Sequence, residues 1–217
     1  MSASEVAAPG PSPDAVAPER RAWRKRLIVF ALLAIFALLA LFLLAQAGFF
    51  LIVHAPERSD VIVVLDGEWP QAVKLQREGY APRILLDAGS QYSVYGRTEL
   101  DLATEFVASM PQANMQICPI SGTSTFEEVV YVRRCMAALH ATSALIVAPN
   151  FDTRRVIATF RKRLPQYRWS IAASSNPYRD AALYWKHRRW AKTVLNAWEQ
   201  LLWWELVEQR RPDVVLQ

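Results

Sequence analysis

Glycine is scarce in this chain, with 7 residues among 217. None is arranged as Gly-x-Gly-x-x-Gly, as a Walker phosphate loop or as a Gly-x-Ser-x-Gly elbow, so no motif assigns a dinucleotide site, a P-loop or a hydrolase nucleophile. Histidine is scarcer still. His54, His140 and His187 lie outside the loops that matter below, so a Ser–His–Asp arrangement has no support. The 2 cysteines, Cys118 and Cys135, do not have metal-ligand spacing, which argues against a zinc site. They fall on a strand end and the following helix and read as two buried free thiols. A disulfide is the alternative if the domain lies outside the cytoplasm. Nothing resembles a recognition helix, a zinc finger or an RNA-binding strand, so no nucleic-acid partner is expected despite the formal charge of +5.

The charge is unevenly placed. Arg20, Arg21, Arg24, Lys25 and Arg26 directly precede a run from Leu27 to Val53 in which only Gln46 is clearly polar. About 20 apolar residues span a bilayer core, so residues 27–53 read as a transmembrane helix and the lipid bilayer as a partner. Residues 1–26, rich in Ala, Pro and Ser before the basic cluster, read as a disordered cytoplasmic tail. A cleaved signal peptide is the main rival, with Ala45-Gln46-Ala47 as its cleavage box. Its apolar region would be only roughly 7–15 residues long. Only Arg58 lies close behind the run, so the positive-inside rule puts the N-terminus in the cytoplasm and the remainder outside it, in a periplasmic or extracellular space.

Residues 54–59 form a linker, and strand and helix then alternate. Asp60–Leu65, Arg83–Asp87, Met115–Ile120, Ala144–Ala148 and Trp169–Ala173 read as strands, the first and fourth continuous and apolar as buried parallel strands are. Helices are expected over Trp69–Glu78, Thr98–Met110, Ser124 or Thr125 to His140, and Asp152–Leu164; after Asn176-Pro177 the chain reads as helical to about Gln209. This order predicts an α/β fold: a Rossmann-like three-layer domain with a mainly parallel sheet of about five strands.

Such sheets bind ligands beyond the carboxyl ends of their strands. The loops there hold Asp66, Gly67 and Glu68; Asp87, Gly89 and Ser90; Ser124, Thr125 and Glu128; and Asn150, Asp152, Arg154 and Arg155. The hydroxyl-rich loop before a helix, with Arg154 and Arg155, suits a phosphate. Asp66, Asp87 and Asp152 are catalytic candidates, as acid and base or around a divalent cation. The ordinary alternative for these residues is helix capping and surface charge.

These segments resemble the SanA/YdcF/ElyC family of bacterial envelope proteins. Asp60–Leu65 looks like its opening strand, Glu78-Gly79-Tyr80-Ala81-Pro82-Arg83-Ile84-Leu85 its helix end and second strand, and Ser124-Thr125-Phe126-Glu127 its Ser/Thr-Thr-Tyr-Glu segment. The Trp-rich stretch from Tyr184 resembles its C-terminal helices. The chain departs from the family at Asp66-Gly67-Glu68, at Glu128 and at Pro149-Asn150-Phe151-Asp152, and keeps Arg155. The resemblance implies a role in envelope integrity, peptidoglycan synthesis or lipid-carrier handling, with lipid-linked precursors or envelope proteins as partners and a nucleotide-like ligand in some members. A metal-assisted phosphatase and a non-catalytic scaffold are the other readings.

Overall fold

The computed structural model describes residues 17–91, 93–121, 125–175 and 177–211. The chain forms two compact units, one ending at Ala45 and one beginning at Gln46. The first is the helix α1, Ala17–Leu51, up to Ala45. Every residue from Lys25 to Leu44 is exposed, and Leu27 to Leu44 is apolar on all sides. One helix, Lys25–Leu51, is therefore long and apolar enough to cross a membrane. The basic segment expected to be disordered is helical from Ala17 onward. The apolar helix is also shorter than expected. It ends at Leu51, whose side chain is 1% exposed within the second unit.

That second unit is an α/β domain. Its strands are β1 Val61–Val64, β2 Ile84–Gly89, β5 Met115–Ile120, β6 Ser143–Ala148 and β7 Arg168–Ala173, with a small hairpin of β3 Ser93–Val94 and β4 Arg97–Thr98. The helices are α2 Trp69–Arg77, α3 Glu99–Ser109, α4 Thr125–Ala138, α5 Thr153–Arg163, α6 Pro177–Leu183 and α7 Arg188–Leu206. The main sheet has the order β5-β2-β1-β6-β7, and every pair in it is parallel. The hairpin was expected only as a loop through Tyr95 and Gly96, both of which have positive φ.

The strands are apolar because both faces are covered. Val61, Val63 and Leu65 pack with Val129, Val132 and Met136 of α4 and Val156, Ile157 and Phe160 of α5. Ile62 and Val64 pack on the other face with Ala72, Val73 and Leu75 of α2 and Ala103 of α3. Successive side chains of β1 thus alternate between two cores, as the period of a strand requires. Cys118 and Cys135 form a disulfide between β5 and α4, which corrects the reading as free thiols. The helix packs back over its own strand, which brings Cys135 against Cys118.

A third cluster holds the end of α1. Leu51 packs with Phe151, Tyr184, Val194, Ala197, Leu201 and Trp204, and Phe50 stacks on Trp198 at 5.1 Å. The Val53 N–H donates to Thr153 Oγ1 at 2.8 Å. Ala55 pairs with Ile171 on the edge strand, so the linker is fastened to the sheet. The C-terminal stretch is divided into two helices. A 3₁₀ turn at Tyr184–Lys186 and an extended His187 separate α6 from α7, and Tyr184 is buried in the third cluster. Asp60 closes the opposite end of β1, accepting from Thr142 N, Thr142 Oγ1 and Ser143 N at 2.8, 3.0 and 2.9 Å.

Gly48 is the closest approach in this third cluster: a Cβ there would lie 2.9 Å from both the Ala181 carbonyl oxygen and Tyr184 Cδ1. Gly48→Ala is expected to cost about 1–3 kcal/mol through overpacking. A lowered melting temperature of the detergent-solubilised chain checks this; an unchanged one would show that α6 and α1 are not in contact here.

Candidate functional site

The chain runs β1, β2, β5 outward in one direction and then returns to place β6 on the other side of β1. The strand order therefore reverses between β1 and β6, where open α/β sheets form a crevice at the carboxyl edge. A cleft of about 670 Å³ opens there. Asp66, Thr125, Glu128, Asp152 and Arg155 line one part of it, and Glu199, Leu202, Trp203 and Leu206 of α7 line another.

Each polar side chain arrives from a different element. Asp66 leaves β1 in a turn with Gly67, both at positive φ, 52° and 71°. The left-handed region is the usual place for Gly, and a short polar side chain tolerates it better than most. Thr125 and Glu128 sit in the first turn of α4, and Glu128 bonds to the Thr125 side chain. Asp152 and Arg155 come from the start of α5 and form an ion pair at 3.3 Å.

Behind this wall stands Asp87, in β2 opposite Cys118, only 5% exposed. The Asp66 backbone N–H bonds to its carboxyl group, while its Oδ1 has no hydrogen-bond partner among the described residues. Glu99, at the start of α3, accepts from Gly89 N at 3.0 Å and adds its charge to the same group.

Burial is the main cause that raises these carboxyls above their ordinary range. It pushes Asp87 well above the ordinary range, with Glu128, Asp66 and Glu99 adding to the effect. Glu128 is pushed up to about 7 by burial and then by Asp66, against the opposing pull of Arg155 and Thr125. Asp66 is raised by burial and by Asp152, with Arg155 opposing. Glu68 is raised by burial, and its hydrogen bond with Ser174 works the other way. These neighbours titrate as a coupled set.

The expected residues divide unevenly. Asp66, Thr125, Glu128, Asp152 and Arg155 come together, with Asp87 behind them. Gly89 and Ser90 shape the loop, through Gly89 N to Glu99 and Ser90 N to Ile120 O. Ser124 lies outside the described residues. Two expectations are corrected. Asn150 is 6% exposed and spent on structure: its Nδ2 donates to Ser175 Oγ and Asp180 Oδ2, each at 2.8 Å. Arg154 turns away, its guanidinium 4.1 Å from the Phe50 ring centroid and its Nε on the Phe50 carbonyl. Asp152 makes no capping bond to α5 and pairs with Arg155 instead. Among the described residues no three His, Cys, Asp or Glu side chains form a metal-ligating group.

The α7 residues were missed because their helical spacing reads as core packing. Only part of that helix is core: Trp204 is buried at 7%, whereas Trp203, Leu202 and Leu206 are 51%, 52% and 63% exposed. The chain matches no family model, no curated protein and no solved structure.

The raised Glu128 sets a pH dependence. A carboxyl whose folded pKa exceeds its unfolded value binds more protons when folded, so stability falls as pH rises from about 4.5 to about 7. Glu128→Gln is expected to remove the part of that slope that Glu128 contributes and to stabilise the chain by about 2 kcal/mol above pH 7, less than the full shift because the carboxyl borders an open cleft. Melting curves across this range test it; parallel profiles for the two proteins would contradict it.

Proposed function

We propose that this is a membrane-anchored envelope-biogenesis protein whose cleft binds a lipid-linked phosphate. The single observation that carries this reading is the cleft's two-sided lining. Arg155 offers a guanidinium suited to a phosphate. Leu202, Trp203 and Leu206 offer an exposed apolar wall in the same cleft, which suits a hydrocarbon chain. An isolated apolar side chain on a surface means little, but a contiguous apolar wall beside a charged group describes an amphiphilic ligand. The resemblance to the SanA/YdcF/ElyC family supports the same ligand class.

The domain works on the outer face of the membrane. The cations preceding the apolar helix support this orientation, as does the Cys118–Cys135 disulfide, since such bonds persist in oxidising compartments. A phosphate hydrolase is the second reading, favoured by the place of Glu128 in the cleft wall beside Arg155, where burial pushes its carboxyl up to about 7, a range suited to a general acid or base.

Farnesyl phosphate, a short isoprenyl phosphate, is the probe. The full chain in detergent is expected to bind it, and Arg155→Ala to weaken binding by about 10–100-fold through loss of charge-assisted hydrogen bonds. Tryptophan fluorescence reports it through Trp203. Binding unaffected by Arg155→Ala would refute the phosphate assignment, and release of inorganic phosphate would move the conclusion to the hydrolase.

A further inference from the structure

The cleft is acidic for a site that takes phosphate. Asp66, Glu128, Asp152, Glu199 and Glu208 line it together with Arg155, and Arg155 already shares its charge with Asp152. An incoming phosphate meets more carboxylates than cations, and like charges in one site repel. A second, independent observation lies behind the wall. Asp87 is 5% exposed, surrounded by Asp66, Glu99 and Glu128, and its Oδ1 has no hydrogen-bond partner among the described residues. Buried carboxylate oxygens are ordinarily paired, and one left over in a charged cluster calls for an ion or donor. Glu99 is engaged with the Gly89 N–H.

We propose that the cleft takes its phosphate together with a divalent cation of the Mg²⁺ type, ligated by the carboxylates of Asp66 and Asp87 and by oxygens of the phosphate itself. This rests on the phosphate reading given above. Mg²⁺ is commonly held by one or two carboxylates plus substrate phosphates rather than by an all-protein cage. The cation bridges the acidic wall and the phosphate, and neither ligand binds well alone. Asp87 supplies the inner ligand from a rigid central strand, and Asp66 supplies the outer one from the adjoining turn.

The test titrates farnesyl phosphate into the full chain in detergent, with Mg²⁺ or with EDTA, at mildly alkaline pH. The expected result is an affinity at least about tenfold higher with Mg²⁺, with the affinity for Mg²⁺ raised by the same factor when farnesyl phosphate is bound. Asp87→Asn preserves shape and removes a buried charge, so the variant folds. It is expected to bind farnesyl phosphate with the same affinity in Mg²⁺ and in EDTA, having lost the Mg²⁺ enhancement. Equal affinity in Mg²⁺ and EDTA overturns the cation and leaves the phosphate reading standing. An enhancement that survives in Asp87→Asn also overturns it, because the effect then belongs to the ligand. No binding of farnesyl phosphate under either condition overturns the phosphate reading and this inference with it.

Discussion

A sheet buried on both faces has room for polar chemistry only where its strands end, and that constraint organises the domain. β1 and β6 are apolar along almost their whole length because helices cover both sides. Asp66, Asp152 and Arg155 therefore appear just after these strands, and the reversal of strand order between β1 and β6 gathers them. Asp87 is the exception. It lies within β2, where a carboxylate is costly, and its burial is the largest cause of its raised pKa. Fixing it to the Asp66 backbone couples the deep carboxyl to the one on the wall.

The tether and the cleft share one helix. Along α7, Trp198 stacks on Phe50 and Leu201 packs with Leu51, while Leu202, Trp203 and Leu206 line the cleft. The segment that leaves the apolar run is thus fastened to the same rigid element that offers the apolar wall. Thr153 strengthens the junction by receiving the Val53 N–H at the start of α5, two residues before Arg155. Ala55 adds a further contact by pairing with Ile171 on the edge strand.

Much of the fold was legible in the sequence because its signals are local. Continuous β-branched runs such as Asp60–Leu65 mark buried strands, and Gly79 closes α2 at positive φ as a helix stop does. The site was legible only as a set of loops. Arg154 and Arg155 are indistinguishable in sequence, yet adjacent helical residues point about 100° apart, so one meets the cleft and the other the Phe50 ring. Asn150 looked like a ligand and is a buried clamp, because its partners Ser175 and Asp180 lie a whole strand away. The convergence of Asp87 with Glu128 and the α7 wall depend on long-range packing that no spacing encodes.

The central claim is that one cleft receives both the phosphate and the chain of a membrane lipid. Photocrosslinking tests it most directly, using the full chain in bilayers with an isoprenyl phosphate that carries its photoreactive group on the chain. The account predicts crosslinks at Leu202, Trp203 and Leu206 that excess farnesyl phosphate displaces and that Arg155→Ala abolishes. Crosslinks confined to Leu27–Leu44, indifferent to both treatments, would contradict it and reduce the lipid contact to that of an anchor.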